Sequence, residues 1–475
     1  MPTKNTLRTV KYPLLCVPLI FGLIGLLTAG ESFGDSLYSA LSMYLLQYHQ
    51  PAPNFLTALA RWTAPLATIL GVLSSIPAVR ERFDNFMRWR AGKSIAVYGP
   101  AGERGLLLGQ LGRRGIEGKE RFVRAGRYVL LGEEAENYSF WSEYHRQLEY
   151  VPVHMRCRCL PSQSVSDPML RLFCPEETAA RLFWSDRSLY EVSAGCGHRM
   201  SVAFIGFGRL GEHVMNSALL CNIFAPGQQI DYHVFGDCTS FTAPRSRLGE
   251  IGDAVIAHSE PWYDSLPLLE EAQAVIVLEQ ENQIELLKNL LLALRRPELD
   301  VFDAGGGESE LLAGRERLRL FAWRDRAFSP KYIFTDALND RAKRINLRLS
   351  PQRARLEDTP ETRNEQWRLL DAFARYSLLS QADYHDIRLK MLALSGQATD
   401  PAVMSPELID LLANLEHIRR CRYYYLNNYI AGVPENGSRE DPLRRLSIEL
   451  MSYDALPEEE KERRREAVRT LLTMK

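Results

Sequence analysis

Residues 201–211 read SVAFIGFGRLG, and this stretch decides the fold of the central part of the chain. Ser201–Ile205 is a short apolar run typical of a buried strand, and Gly206–Gly211 has the spacing G-x-G-x-x-G. A helical pattern follows as far as about Phe224. Strand, glycine loop and helix in this order are the context in which the spacing indicates a dinucleotide-binding unit.

The loop and the strand after it predict a nucleotide site. The glycines allow a tight turn, a close approach of backbone to pyrophosphate, and close helix–strand packing, while the helix N-terminus offers N–H groups to an anion. Asp231–Gly236 is the next predicted strand. Asp237, which follows it, can accept hydrogen bonds from a ribose. The ligand is NAD(H) or another nucleotide; alternatively, the glycines serve packing alone. The predicted cofactor-binding residues are Gly206, Gly208, Arg209, Gly211 and Asp237.

The pattern continues into a nearly complete doubly wound sheet. The helix Gln283–Arg296 separates two of the later strands. The further predicted strands are Asp253–His258, Ala274–Glu279, Asp300–Asp303 and Leu318–Ala322.

A second, weaker unit precedes this one. The strand Ser94–Tyr98 leads into a loop with Gly99, Gly102 and Gly105, which are further candidate cofactor-binding residues. Arg127–Leu131 is the second predicted strand, Val151–Arg156 is a candidate third strand, and Glu133 and Glu134 supply acids after the second. Since Pro100 removes one N–H group from the loop, the segment resembles half a Rossmann fold.

The N-terminal region predicts a membrane hairpin. Tyr12–Ala29 and Trp62–Val79 contain no charged residue, and each is about as long as a bilayer core is thick. Basic residues flank the pair on the outer sides, and the connecting segment has none, so the positive-inside rule places both termini in the cytoplasm of a multi-pass inner-membrane protein. A buried helical hairpin is the alternative.

The connecting segment carries a helical pattern over Ser36–His49. Span, short helix and span is the order of a two-span cation channel. No Thr-Val-Gly-Tyr-Gly-like run is present, which argues against potassium selectivity. A non-selective pore and an interfacial linking helix both stay open.

The composition restricts the function classes. The 475 residues include 58 Lys and Arg against 59 Asp and Glu, a balance that argues against a nucleic-acid partner. The cysteines Cys157, Cys159, Cys174 and Cys196 lack the spacing of a zinc motif, so no metal is predicted. No H-E-x-x-H run or Tyr-x-x-x-Lys pair occurs, so no catalytic residue is predicted and the protein is not expected to be an enzyme.

Two resemblances extend this interpretation. Residues 32–38 (SFGDSLY) and 60–66 (ARWTAPL), with the loop Gly206–Gly211, resemble bacterial membrane proteins that join channel-like helices to TrkA-type NAD-binding domains. The resemblance covers about residues 10–325.

The C-terminal part is similar to the prokaryotic RyR domain, a module shared with ryanodine receptors. The similar segments include residues 367–377, 411–419 and 450–461. Arg420 stands where that family usually has Trp, and Asn428-Tyr429 stands where Gly-Trp is usual. The ligand residues that the resemblance implies are Glu416, His417, Tyr425 and Tyr429.

The predicted fold class is a two-span α-helical membrane hairpin followed by cytosolic α/β Rossmann-like domains and an all-α RyR-like domain. The resemblances imply a membrane sensor that binds a nucleotide-derived ligand and gates or perturbs the lipid bilayer, in some relatives within antiviral signalling. A homo-oligomer is expected because two helices cannot enclose a pore. A membrane-anchored NAD(P)-dependent oxidoreductase and a non-catalytic scaffold are the alternatives. The predicted domains are residues 1–92 (hairpin), 93–196 (partial Rossmann), 197–327 (Rossmann) and 328–475 (RyR-like).

Overall fold

The structure is a computed structural model of the whole chain. It describes every residue except 1–5, 74–84, 91, 119–121, 159–166, 168, 194–196, 279–280, 297–298, 305–317, 351, 436 and 475. The chain forms two compact units, Met1–Val153 and His154–Lys475, and the boundary between them lies within one strand. The four predicted domains stay a prediction, and the one over residues 93–196 includes the boundary between the two units.

The described part of the first unit begins with four helices. They are α1 (Thr6–Thr28), α2 (Phe33–Ser42), α3 (Phe55–Leu73) and α4 (residues 85–90). Helix α1 packs on α2 and α3. Small residues bring α1 and α3 together, because a Cβ added at Gly22 would lie 3.4 Å from the Ala60 Cβ. The Asn54 amide donates to the Gly25 carbonyl at 2.5 Å. The outward side of these helices exposes apolar side chains, among them Ile20 and Trp62.

The prediction of a two-span membrane hairpin is wrong. Among the described residues, no helix combines the length and the apolar character needed to span a bilayer. The buried apolar side chains pack between the helices instead, with Leu26, Ala40, Met43 and Ala64 in one cluster. The second apolar stretch is described as helix only up to Leu73, and its remainder lies outside the described residues. The multi-pass membrane location, which was inferred from the hairpin, is therefore wrong as well.

Three short parallel strands follow in the first unit. They are β1 (Ile95–Tyr98), β2 (Gly115–Glu117) and β3 (Arg127–Leu130), and β1 pairs with both of the others. The helices of this region are α5 (Ala101–Leu111), α6 (Glu134–Glu143) and α7 (His145–Leu148). Strand β2 was not predicted from the sequence.

The unit boundary falls in β4 (Val153–Arg156), and the second unit then continues with β5 (Leu170–Phe173) and α8 (Pro175–Asp186). Helix α8 begins with a proline at its first position, where the missing N–H costs nothing.

A six-stranded parallel sheet is the centre of the second unit. In chain order its strands are β6 (Arg199–Ile205), β7 (Gln229–Phe235), β8 (Ala254–His258), β9 (Ala274–Val277), β10 (Asp300–Asp303) and β11 (Leu318–Leu320). In space they follow the order β11-β10-β9-β6-β7-β8. The first strand of the six therefore lies in the middle, with the second and third on one side and the later three on the other. This is the doubly wound Rossmann order, and every strand predicted for this sheet is confirmed.

Helices cover the sheet. They are α9 (Gly208–Cys221), α10 (Thr239–Thr242), α11 (Leu266–Glu271) and α12 (Gln283–Ala293). Strands β6 and β9 are nearly continuous apolar runs, as expected for parallel strands buried on both faces.

The remainder of the second unit is mainly helical. Its helices are α13 (Trp323–Ala327), α14 (Pro330–Phe334), α15 (Asp340–Arg348), α16 (Pro360–Arg368), α17 (Ala372–Leu394), α18 (Pro406–Leu426) and α19 (Glu458–Thr473). The two long helices have strong N-caps: Asp371 accepts from the Ala374 N–H and Ser405 from the Leu408 N–H.

This helical part also contains a small sheet of β12 (Ile430–Ala431), β13 (Glu440–Asp441) and β14 (Leu446–Ser447). The prediction of an all-α module is therefore wrong in this detail. Strands of two residues carry too little pattern to be recognised in a sequence.

Candidate functional site

The glycine loop lies at the point where the strand order of the Rossmann sheet reverses. Strand β6 pairs with β7 on one side and β9 on the other, so the loop after β6 opens at the carboxyl edge between them. Gly206 and Gly208 have φ angles of 80° and 58°, which side chains disfavour. In open α/β sheets this crevice is where ligands bind.

Two glycines permit close packing around the loop. A Cβ at Gly211 would lie 2.9 Å from Leu278 Cδ1 and 3.0 Å from the Phe207 ring, so helix α9 can approach the strands only without a side chain there. A Cβ at Gly236, at the end of β7, would lie 3.1 Å from the Gly206 carbonyl carbon. By contrast, a Cβ at Gly208 would meet nothing within 4 Å. Gly208 thus leaves open space at the helix N-terminus.

Asp237 follows the end of β7, where the ribose-binding acid of such folds is found. Its carboxylate accepts the Thr239 N–H at 2.9 Å, and this hydrogen bond lowers the pKa of Asp237. The group is therefore a carboxylate at neutral pH, as a ribose 2′-hydroxyl acceptor must be.

Arg209 lies in the first turn of α9. Its guanidinium is 3.8 Å from a carboxylate oxygen of Glu176, which also pairs with Arg156 at 2.5 Å. Burial alone would raise the pKa of Glu176, but the two arginines lower it. Arg209 is thus held toward α8 rather than presented as an isolated phosphate ligand.

The glycine loop of the first unit is built differently. Gly99 has a φ of 132°, and a Cβ there would lie 2.7 Å from Leu131 Cβ, whereas Gly102 and Gly105 have open space around their Cβ positions. Arg104 donates to the Gly99 carbonyl at 2.8 Å and pairs with Glu117 at 2.9 Å. Glu117, the last residue of the neighbouring strand β2, therefore already has an ion-pair partner.

The residues implied by the RyR resemblance contact different partners. Glu416 is buried and pairs with Arg388 at 2.7 Å and Arg419 at 2.8 Å. Buried His417 has its Nε2 2.8 Å from the Met451 carbonyl oxygen. Tyr429 is buried against the Phe373 ring at 5.0 Å, while Tyr425 is half-buried.

Arg420, which departs from the RyR pattern, has a structural role. Its guanidinium bonds to Glu449 at 2.9 Å and to Glu440 at 2.7 Å, and lies 4.8 Å from the Tyr424 ring centre. Arg420, Arg464 and Arg439 lower the pKa of Glu449 to about 2, although burial opposes this.

A cavity of about 520 Å³ opens between the Rossmann helix α9 and the helices α17 and α18. Its lining includes His213 and Asn216 on α9, Phe373 and Tyr376 on α17, and Tyr423 on α18. No local spacing in the sequence joins these residues, since three helices distant along the chain contribute them. Sequence reasoning therefore missed this cavity.

Comparisons with known proteins add one structural likeness. No family model matches the chain, and no curated protein matches it. Among solved structures, the chain is similar to a dipicolinate synthase subunit from Bacillus halodurans, with 12% identity and a TM-score of 0.23. The match covers 52% of this chain and 96% of the other. The Rossmann assignment rests on the strand order of this chain itself.

Proposed function

We propose that the second unit binds a nucleotide, with NAD(H) as the favoured ligand, and responds to it as a sensor. The observation that carries the proposal is the loop at the switch point, where Gly206 and Gly208 have positive φ and Gly211 admits no side chain. The first turn of α9 offers N–H groups to a pyrophosphate there. Asp237 favours a ribose 2′-hydroxyl over a 2′-phosphate, because its carboxylate repels a second anion.

Helix α9 supplies the route by which a ligand could act on the rest of the unit. Its N-terminus forms the loop, and the segment at its C-terminal end bonds directly to the helical part. Tyr384 on α17 donates to the Ile223 carbonyl at 2.8 Å, and Arg422 on α18 donates to the Leu219 carbonyl at 3.1 Å. A ligand shifts such a contact only if it binds two arrangements with different affinity.

Neither the fold nor the comparisons support a membrane channel or an antiviral role. The homo-oligomer and the absence of a nucleic-acid partner stay predictions. The expectation that the chain is not an enzyme becomes testable once a ligand is bound, because hydride transfer would consume it. Bound NADH should keep its reduced-nicotinamide absorbance across a panel of carbonyl substrates; a substrate-dependent loss would contradict the sensor proposal.

Gly208→Glu should weaken NAD⁺ binding about 100-fold or more, because a carboxylate would stand against the pyrophosphate. Like charges about 4 Å apart cost on the order of 4 kcal/mol near a protein surface. Gly208→Ala is the matched control, since it shares the strained backbone and lacks the charge. Titration calorimetry on the full chain measures both. Equal affinity of the folded Glu and Ala variants would place the nucleotide elsewhere.

Asp237→Ala should weaken NAD⁺ binding about 10- to 100-fold, the worth of a hydrogen bond to a charged group. Binding of NADP⁺ should weaken less, because the removed carboxylate opposes its 2′-phosphate. Asp264→Ala, at an exposed acid, is the control and should leave both affinities unchanged. An equal loss for the two nucleotides would argue against contact between Asp237 and the ribose.

Hydrogen exchange tests the sensing step separately from nucleotide binding. Hydrogen exchange of the α17 and α18 amides should slow when NAD⁺ is added to the wild-type chain. Binding without any change in exchange there would leave the nucleotide site standing and overturn the sensor.

A further inference from the structure

Three metal-binding side chains converge at the wall of the cavity beside α9. The thiol of Cys174, the carboxylate of Glu177 and the imidazole of His213 offer ligand atoms that all lie within 4.8 Å of one another. Cys174 directly precedes α8, Glu177 lies in its first turn, and His213 lies on α9. Two packed helices therefore build the group.

The spacing of the group fits a zinc ion. Zinc binds sulfur at about 2.3 Å and histidine nitrogen at about 2.0–2.1 Å in tetrahedral geometry, which separates the two ligand atoms by roughly 3.5 Å. The Cys174 sulfur lies 3.6 Å from His213 Nε2. A thiolate–imidazole–carboxylate set favours zinc over magnesium or calcium, which prefer oxygen ligands alone.

The surroundings also fit a cation. Tyr376 donates its hydroxyl to Glu177 Oε2 at 3.2 Å, the kind of outer hydrogen bond that orients a metal-binding carboxylate. Burial, with Glu177 and Glu176 close by, raises the pKa of the Cys174 thiol. Zinc would have to displace the thiol proton, so metal binding and protonation compete at Cys174.

We propose that Cys174, Glu177 and His213 bind one zinc ion, which keeps a fourth coordination position on the side of the cavity. Glu177 and His213 both line the cavity, so a water or a donor atom of a small ligand can occupy that position. Three protein ligands with one exchangeable position are the pattern of open zinc sites. The site is independent of the nucleotide loop, because no residue is shared.

Metal analysis of the full chain tests the proposal. Protein stripped with a chelator, incubated with zinc and dialysed should retain about one zinc per chain by mass spectrometry. Cys174→Ser and His213→Asn should each lose at least about nine-tenths of it. Cys421→Ser is the matched control, because Cys421 lies 3.5 Å from His417 but belongs to no such three-ligand group among the described residues.

Cobalt substitution gives an absorption spectrum that depends on metal coordination and that a purely structural role of these side chains would not produce. Co²⁺ in the wild-type chain should show a thiolate charge-transfer band and the visible bands of a tetrahedral site, and Cys174→Ser should lose the former. Both signals should weaken as pH falls, because protons compete for the ligands. Folded wild-type protein that binds neither ion above background would overturn the proposal, as would equal metal content in Cys174→Ser.

Discussion

Glu416→Ala should lower the free energy of unfolding of the second unit by about 3–5 kcal/mol, the cost of breaking a buried ion pair by removing one partner. Arg388 and Arg419 are both buried, and both guanidiniums direct their charge at this one carboxylate. Burial by itself would raise the pKa of Glu416, but Arg419 and Arg388 lower it. Without Glu416, two cations remain in the interior between α17 and α18.

Glu462→Ala is the matched control, because its pairs with Arg465 and Arg469 lie at the surface of α19. Exposed pairs contribute about 0–1 kcal/mol. Denaturant unfolding of the full chain, followed through hydrogen exchange of the α17 and α18 amides, separates this unit from the first. A loss below about 1 kcal/mol for Glu416→Ala would show that the two arginines find water or other partners.

The same carboxylate illustrates what the sequence could predict. Glu416 was a candidate ligand residue because it lies in the segment that is similar to the RyR domain. The structure uses it to hold α17 against α18, and a buried charge with two partners is indistinguishable from a ligand site in a sequence. Only the register between the two helices, which are separated along the chain, reveals the difference.

The Rossmann sheet was predictable because each of its strands is a local signal. Apolar runs alternate with helical patterns, and the loop Gly206–Gly211 marks the central strand. Strand Gly115–Glu117 was missed because it contains one apolar side chain between a glycine and a glutamate and so forms no apolar run. The membrane hairpin was predicted from the length of two uncharged stretches. The close packing of α1 on α3 depends on small residues such as Gly22, and the sequence does not show which residues they pack against.

The group of Cys174, Glu177 and His213 could not be predicted from the sequence, for a related reason. The cysteines were considered for zinc by their spacing to one another, which contains no motif. The observed partners of Cys174 are a glutamate one helical turn away and a histidine on the next helix. Cys159 and Cys196, which belonged to the same consideration, lie outside the described residues.

The stability of the second unit should fall as pH drops below about 6.5, and His385 should account for a large part of the loss. His385 is completely buried on α17. Burial, and then the charges of Arg388 and Arg341, lower its pKa from 6.5 to about 3. Since arginine can only donate, the contact of 3.4 Å between Arg388 Nη1 and His385 Nδ1 requires a neutral ring with its proton on Nε2.

His385 therefore binds a proton less readily in the folded state than in the unfolded chain. Between pH 6.5 and about 3 the unfolded state binds more protons at this residue, so stability declines by up to about 1.4 kcal/mol per pH unit. His385→Asn should be less stable at pH 7.5 because of lost packing, but its free energy of unfolding should fall less steeply from pH 6.5 to 5. His198→Asn, at an exposed histidine, should keep the wild-type slope. Carboxylates with lowered pKa such as Glu449 lose their contribution only below about pH 4.5, so these groups do not contribute to the slope above pH 5. If His385→Asn and wild type show the same slope there, His385 is protonated inside the fold and its pKa is not depressed.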